Sequence, residues 1–470
     1  MNYIADLQIH SRFSRAVSKQ MTIPFIAQWA MKKGIDLVAT GDWNHPMWMR
    51  EIQNELVEDG SGLLKLKNTK ISSYTLGNFG NASLPVFVLA TEVSCIFSQG
   101  GKGRRMHILL WVPSIDSALR INKEMTLRGC NLLSDGRPII GLTAAQIAEL
   151  VLTIEPKALV IPAHAWTPWF SLYGSMSGFR SLDEAFGSYA QYIPAVETGL
   201  SSSPDMNWQI QELDSRHVLS FSDSHSGPKL GRESTIFTFP AEKNQITFQM
   251  LSDAVCEPMN KGKSPSKSHV NATIEFYPEE GKYHFTGHRL CGVRFDPEEE
   301  KIKGSQCPVC GKALTQGVMQ RVQDLAGRTT KDLKLEVVPW DSKRPKMDQI
   351  FVTRSRVQAW RPPYILMVPL LEIIAESIGS PVTSKKTYRL YDAMLATLHT
   401  EFSILLERSI EEIRAVAGES VADGVRRARQ RDIVIDPGYD GVFGIVKIWN
   451  SGSSKTVPRT TTPQLAIFNE

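Results

Sequence analysis

The sequence predicts an α/β protein whose first half folds as a barrel of alternating strands and helices, and three observations carry that expectation. Short apolar runs recur at Tyr3 to Ile9, Asp36 to Thr40, Val86 to Phe97, Met106 to Val112, Ala158 to Pro162, Tyr192 to Val196 and Val218 to Phe221. Several are separated by stretches with helical periodicity. At or near the ends of most of these runs stand His10, Asp42, His45, Glu92, His107, His164, Asp223 and His225. Barrel enzymes gather polar groups from distant sequence in this way, at the C-terminal ends of their strands.

The elements follow in order. In ADLQIH a period of two puts Asp6, Gln8 and His10 on one face, so one strand offers two neighbouring ligands. Thr22 is the expected N-cap of a helix with Ile23, Ile26, Ala27 and Ala30 on one face, ended by Gly34. Val86 to Phe97 and Met106 to Val112 read as a hairpin around SQGGKGRR. Centred between Gln99 and Gly100, it sets Glu92 opposite His107 with Cβ atoms about 5 Å apart. A second helix runs from Thr143 through AAQIAELVLTI. Asp223 and His225 alternate in SFSDSHS as Gln8 and His10 do. This barrel domain is expected over residues 1–240.

Residues 241–283 lose the pattern, and KGKSPSKS marks them as a linker. Residues 284–312 hold a cysteine cluster. Helical periodicity returns over 313–455 in PPYILMVPLLEIIAESIG and LYDAMLATLHTEFSILLE, and IVIDPGYDGVFGIVKIW reads as a terminal hairpin before a polar tail at 456–470. Lys385, Lys386, Arg426 and Arg427 read as solvated helix faces.

At 470 residues and 42% hydrophobic, the chain has material for two or three packed domains. A net charge of +4 permits a polyanionic partner without announcing one. No signal peptide or apolar span stands out, so the expectation is a cytoplasmic monomer. Of ten histidines, five fall in the array at the run ends. Singly, each is an ordinary hydrogen-bonded residue; together they read as a multinuclear site, with His10, Glu92, Asp223 and His225 as the candidate catalytic groups. Imidazole and carboxylate suit zinc, manganese, iron or magnesium, and two or three such ions polarise a phosphate and activate water.

The array resembles the polymerase and histidinol phosphatase (PHP) family, which implies a distorted seven-stranded β/α barrel with a trinuclear site. The family's opening His-x-His stands here as Gln8-Ile9-His10, and Gln offers only a neutral carbonyl oxygen. By position, the resemblance implies one metal near His10, Glu92 and Asp223, and a second held by Glu92, His107 and His164. A third would be held by Asp42 or His45 with His225. The family's second motif reads Asp-His, whereas Trp43 follows Asp42 here, so the choice between Asp42 and His45 stays open. Glu197 also ends a run, as an orienting or a capping carboxylate.

His288-Arg-Leu-Cys291 and Cys307-Pro-Val-Cys310 form two knuckles separated by 15 residues, the pattern of one tetrahedral structural zinc. His284 is the competing fourth ligand. A PHP barrel followed by GKYHFTGHRLCGVRF, CPVCGKALTQGV and DPGYDGVFG resembles the endonuclease Q family over most of the chain. That resemblance implies a DNA repair enzyme nicking 5′ to hypoxanthine, uracil, xanthine or an abasic site and leaving 3′-hydroxyl and 5′-phosphate ends. A replication sliding clamp is a candidate partner. Arg12, Arg15, Lys19, Lys102, Arg104 and Arg105 are candidate phosphate contacts, and Trp43, Trp166, Trp169 and Phe170 candidate stacking groups. The competing readings are a phosphoesterase acting on small esters or DNA 3′ ends, and a non-catalytic DNA-binding remnant.

Overall fold

The computed structural model describes residues 1–67, 83–257 and 266–450. All seven expected runs contain strands. In chain order they are β1 (Asn2–Asp6), β2 (Leu37–Ala39), β3 (Val86–Gln99), β4 (Lys102–Val112), β5 (Leu159–Pro162), β6 (Ala195–Glu197) and β7 (His217–Leu219). Helices α1 (Ile23–Lys33), α2 (Pro46–Glu55), α3 (Ile115–Leu127) and α4 (Ala144–Ile154) fall between them. On α1, Ile23, Ile26, Ala27 and Ala30 are buried and Gly34 closes the helix at φ 85°. Thr22 makes no side-chain cap there; Pro24 in the first turn supplies a preset φ instead. Thr143 does cap α4, in a reciprocal box with Gln146.

Strands β1, β2 and β3 run parallel, β4 pairs antiparallel with β3, and β5 antiparallel with β4. The ladder does not run continuously round the seven strands. β6 and β7 pair only with each other, and single backbone hydrogen bonds join them to the rest: Ala165 N–H to the Glu197 carbonyl at 2.9 Å, and His10 N–H to the Ser224 carbonyl at 3.0 Å. These two bonds bring the ends of β5, β6, β7 and β1 together.

The β3–β4 turn differs from expectation by two residues in register. Gly100 and Gly101, at φ 59° and 73°, occupy the two central turn positions, so Gln99 pairs with Lys102. Two successive positive φ angles make the hairpin turn whose twist matches the strands. Glu92 therefore faces Leu109, and His107 faces Ser94. A shift of two preserves the face, and Glu92 and His107 meet diagonally.

The expected linker is largely structured. Residues 241–283 carry α5 (Phe248–Cys256) and β9 (His269–Glu275), and β9 pairs with β8 (Ser234–Thr238), the antiparallel neighbour of β1. Val270, Ala272 and Ile274 alternate into the core from β9, a short pattern hidden behind the Lys- and Ser-rich run. Residues 258–265 and the polar tail lie outside the described residues. The sheet continues through β12 (Tyr364–Leu366) and β11 (Phe351–Ser355) to β10 (Leu335–Pro339), three strands that helical reading of 313–455 missed. The chain is thus a mixed α/β protein in which one thirteen-stranded sheet links its two halves.

Beyond the sheet, α6 (Leu370–Ser377), α7 (Lys385–Leu398), α8 (Ile410–Ala417) and α9 (Glu419–Gln430) pack together before the antiparallel pair β13 (Val434–Asp436) and β14 (Ile445–Lys447). The buried pair Lys33–Glu401, at 2.7 Å, ties this bundle to α1. Buried Arg429 donates to the carbonyls of Ile404, Leu405 and Arg408, which the π-helical turn Ser403–Glu407 leaves without helical partners. Among the described residues no helix is long and apolar enough to cross a membrane.

Candidate metal centre

Six of the expected ligands form two compact triads, His10 with Asp223 and His225, and Glu92 with His107 and His164, each with its ligand atoms within 4.8 Å of one another. Glu92 joins the triads. Its Oε1 lies 2.5 Å from His107 Nδ1 and 3.2 Å from His164 Nε2, while its Oε2 lies 2.9 Å from His10 Nε2. Ligand nitrogens and oxygens around one tetrahedral ion stand about 3.3 Å apart, close to the 3.1 Å between His107 Nδ1 and His164 Nε2. His10 Nε2 and Asp223 Oδ1, 3.2 Å apart, are buried without a properly directed hydrogen bond, as are Glu197 Oε1 and both amide atoms of Gln8. Buried polar atoms are rarely left so. This convergence fits divalent cations bound among these residues.

Local backbone aims the side chains. Asp42, His164 and Asp223 have φ of 44°, 28° and 45°, a region that costs a non-glycine residue roughly 1–3 kcal/mol and persists where surrounding structure holds it. Asp6 supplies part of that hold: it accepts hydrogen bonds from Ser222 N–H at 3.0 Å, Ser222 hydroxyl at 2.6 Å and Gly231 N–H at 2.9 Å. Burial lifts Asp6 to a pKa of about 6 against these bonds. Glu197 accepts from His164 N–H at 2.7 Å, and burial together with Asp223, Glu92 and Asp6 pushes its carboxyl well above the usual range.

Asp42 and His45, the open alternatives, both stand apart from the triads. Asp42 Oδ1 is 2.9 Å from His10 Nδ1, and its Oδ2 accepts from Ser11 N–H at 2.6 Å and the Ser14 hydroxyl at 2.8 Å. With both oxygens engaged, it orients the His10 ring from behind. A side chain at Gly136 would strike Ser14 and Asp42, so the bare backbone there closes the arrangement. His45 caps the start of α2 and stacks on Phe13 at 4.6 Å, and burial lowers its pKa. The third ion expected from Asp42 or His45 with His225 thus finds no assembled ligand set among the described residues. Asp42→Asn is expected to weaken manganese binding about 10- to 100-fold by titration calorimetry, with the fold retained.

Burial disfavours the charged ring of His10, yet Asp42, Asp223 and Glu92 outweigh it and raise its pKa well above the ordinary value. For Glu92, burial is outweighed by His107 and Arg137, which hold it well below the carboxylate range. His107, lowered to about 4 mainly by burial, stays neutral and ligand-competent near neutrality. His225 Nδ1 lies 2.9 Å from the Asp223 carbonyl, which only accepts, so the proton sits on Nδ1 and the Nε2 lone pair is free. The Asp223 and His225 side chains are 26% and 23% exposed, against 1% for His10 and Glu92, so the centre opens on that side.

Arg137 was missed by sequence reasoning. Its guanidinium lies 3.4 Å from Glu92 Oε2. The two-residue strand Ile139–Ile140 pairs parallel with β3 at Ser94, which aligns Arg137 with Glu92 two residues earlier on each chain. Two residues are too few to show periodicity, and GRPII carried no other signal.

The expected nucleic-acid contacts divide. Trp43 and Trp166 are core residues, 0% and 1% exposed, and Trp166 donates to Asn207 at 2.8 Å. Arg12 pairs with Glu51, and Arg104 with Glu184 at 2.5 Å above the Phe179 ring. Arg15, Lys19 and Lys102 are exposed. Trp169 and Phe170 are half-buried beside the centre, with the Phe170 ring 4.9 Å from that of His107 and under the Arg105 guanidinium at 5.6 Å.

A second donor set lies in the following segment. His288, Cys291, Cys307 and Cys310 bring their ligand atoms within 4.8 Å of one another. The 3.5 Å between His288 Nδ1 and Cys310 Sγ matches the edge of a zinc tetrahedron with one nitrogen and one sulfur, about 3.5 Å. Burial raises the Cys307 thiol, but N–H groups of Cys310 and Val309 and the His288 ring outweigh it and lower it to about 6. His284, the alternative ligand, is buried outside this set, and burial lowers it to about 4.

Comparison with known proteins agrees with this plan. A family described as the MJ0043 C-terminal domain matches residues 369–432. The uncharacterized protein MJ0043 of Methanocaldococcus jannaschii is 30% identical over 60% of this chain, which spans only about a third (31%) of that protein's length. The uncharacterized protein YqxK of Bacillus subtilis is 27% identical over 94% of this chain and 98% of its own. The lesion-specific endonuclease PfuEndoQ of Pyrococcus furiosus superposes with a TM-score of 0.73 at 29% identity, covering 95% of each chain. Endonuclease Q bound to a 27-mer duplex with an abasic lesion at its active site matches with the same TM-score at 30% identity, covering 96% of this chain and 97% of that one. Shared fold and sequence along nearly the whole length make this chain a member of the endonuclease Q family.

Proposed function

We propose that the protein is a metal-dependent DNA repair endonuclease. It hydrolyses the phosphodiester 5′ to a deaminated base, such as hypoxanthine, uracil or xanthine, or to an abasic site, and leaves 3′-hydroxyl and 5′-phosphate ends. The observation that carries this reading is the pair of triads joined through Glu92, in a chain similar over 95–96% of its length to lesion-specific endonucleases. Divalent ions held by the two triads would supply charge neutralisation at the phosphate and a water acidic enough to attack it.

The chain's own groups do the rest. Asp42 fixes the His10 ring through Nδ1 and turns Nε2 inward. Asp223 and His225 form the open side, through which a phosphodiester approaches. Arg137, 16% exposed at its side chain, adds a fixed positive charge beside Glu92 where phosphate oxygens gain negative charge. The zinc segment is a structural element, because four protein ligands leave no position for substrate.

A labelled duplex carrying one abasic site or one inosine, incubated with manganese or magnesium, is expected to be nicked on the 5′ side of the lesion. The undamaged duplex stays intact and chelator suppresses the reaction. Phosphate release from small esters without nicking would identify a phosphoesterase. Duplex binding with no cleavage in any metal, converted to cleavage by Gln8→His, would identify a non-catalytic remnant.

A further inference from the structure

The end of β6 fixes the backbone of His164. Its N–H donates to Glu197 Oε2 at 2.7 Å, the N–H of Ala165 donates to the Glu197 carbonyl at 2.9 Å, and a side chain at Gly199 would strike His164 Cβ. What this leaves open is the rotation of the ring and the place of its proton, and the turn that follows settles both. Thr167 N–H donates to the His164 carbonyl at 3.4 Å, which brings the threonine hydroxyl back over the ring, with Oγ1 3.3 Å from His164 Nδ1. The same hydroxyl donates to the Trp169 carbonyl at 2.8 Å. A hydroxyl has one proton and two lone pairs. Its proton is committed to the shorter bond, so Oγ1 meets Nδ1 as an acceptor and the imidazole proton sits on Nδ1. The Nε2 lone pair then faces the space shared with Glu92 Oε1, at 3.2 Å, and His107 Nδ1, at 3.1 Å.

The other triad follows the same pattern. His10 Nδ1 stands 2.9 Å from Asp42 Oδ1 and His225 Nδ1 2.9 Å from the Asp223 carbonyl, and each leaves Nε2 for an ion. We infer that Thr167 is a positioning residue of the metal centre, holding His164 in the tautomer and orientation that an ion at Glu92, His107 and His164 requires. The inference rests on the metal-dependent reading above and adds to it the group that sets the affinity of one ion position. An outer acceptor on a ligand histidine is worth about 10- to 100-fold in metal affinity. The Thr167 hydroxyl is neutral and 3.3 Å away, where Asp42 is a carboxylate at 2.9 Å, so its share belongs at the lower end of that range. Its two side-chain bonds both lie within the loop after β5, so the His10 triad does not depend on it.

The test titrates manganese by calorimetry into the full chain, Thr167→Val and Thr167→Ser, and measures the manganese concentration that half-saturates nicking of an abasic duplex. Val has the branched shape of Thr without the hydroxyl; Thr167→Ala replaces it if the Val variant does not fold. One ion is expected to bind about 10-fold more weakly in the Val variant, with the other ion unchanged and the half-saturating concentration raised by the same factor. Ser should restore both. Because Val also gives up the bond to Trp169, a second readout follows the ring itself. In zinc-loaded protein labelled with ¹⁵N-histidine, one imidazole N–H proton protected from exchange in the parent and in the Ser variant should disappear from the spectrum of the Val variant. Parental affinity in the Val variant, equal weakening of both ions, or an unchanged set of imidazole N–H signals overturns the inference. The expected binding pattern in a chain that nicks no duplex would refute the endonuclease reading and leave the role of Thr167, whereas nicking with one manganese requirement in parent and Val variant would do the reverse. A parent that takes up no ion sinks both.

Discussion

Glu92→Gln is expected to lower nicking by on the order of 10³-fold, more than the ~10- to 100-fold that loss of an outer orienting partner costs. The reason is geometric. One carboxylate oxygen serves His107 and His164, and the other lies at His10. An amide of the same shape keeps the volume but loses the negative charge and turns one oxygen into an NH₂ group that repels a cation. Metal-free protein should melt within a few degrees of its parent. The upward shift in Tm produced by millimolar manganese, an effect of binding to the folded state alone, should largely vanish. A variant that cuts at the parental rate would show that the triads are not the working site.

The second large effect concerns the knuckles. Cys307→Ser combined with Cys310→Ser is expected to remove one zinc per chain by elemental analysis and to open residues 284–316 to proteolysis. The segment has little else to hold it: its strands Thr286–His288 and Val293–Phe295 are three residues each, and Leu290, Ile302 and Val309 are 81%, 85% and 70% exposed. Metal binding supplies most of the folding free energy of such small elements, apparent values being roughly 10–16 kcal/mol. Unchanged zinc content and protease resistance would place the metal elsewhere.

Much of this was legible in the residues. Strands with a polar residue at one end announced both themselves and the centre, because His10, Glu92, His107, His164, Asp223 and His225 follow or interrupt short apolar runs. Part of what escaped lay below the length at which periodicity can be seen: the Ile139–Ile140 strand that delivers Arg137 has two residues. The glycine pair at 100 and 101 permitted more than one turn, and only pairing along the full hairpin chose between them. Aromatic residues near a site could not be sorted by sequence either. Trp43 and Trp166 fill the core while Trp169 is half-buried, a difference that residue type and local pattern do not carry. Asp42 and His45 looked equivalent as ligands until the fold turned Asp42 onto His10, Ser11 and Ser14 and stacked His45 on Phe13.

The β3–β4 ribbon has a mechanical consequence for how a duplex lies on the protein. Seven residues separate Glu92 from the turn at Gln99, which at about 3.3 Å per residue is a lever arm of about 23 Å. Lys102 at its tip is therefore out of reach of the severed bond. On a double helix laid along the ribbon it would touch the backbone about seven base pairs away, at 3.4 Å per step. The footprint on DNA would extend well to one side of the cut, and shortening the ribbon by a matched pair of residues on each strand would trim that footprint while sparing the chemistry.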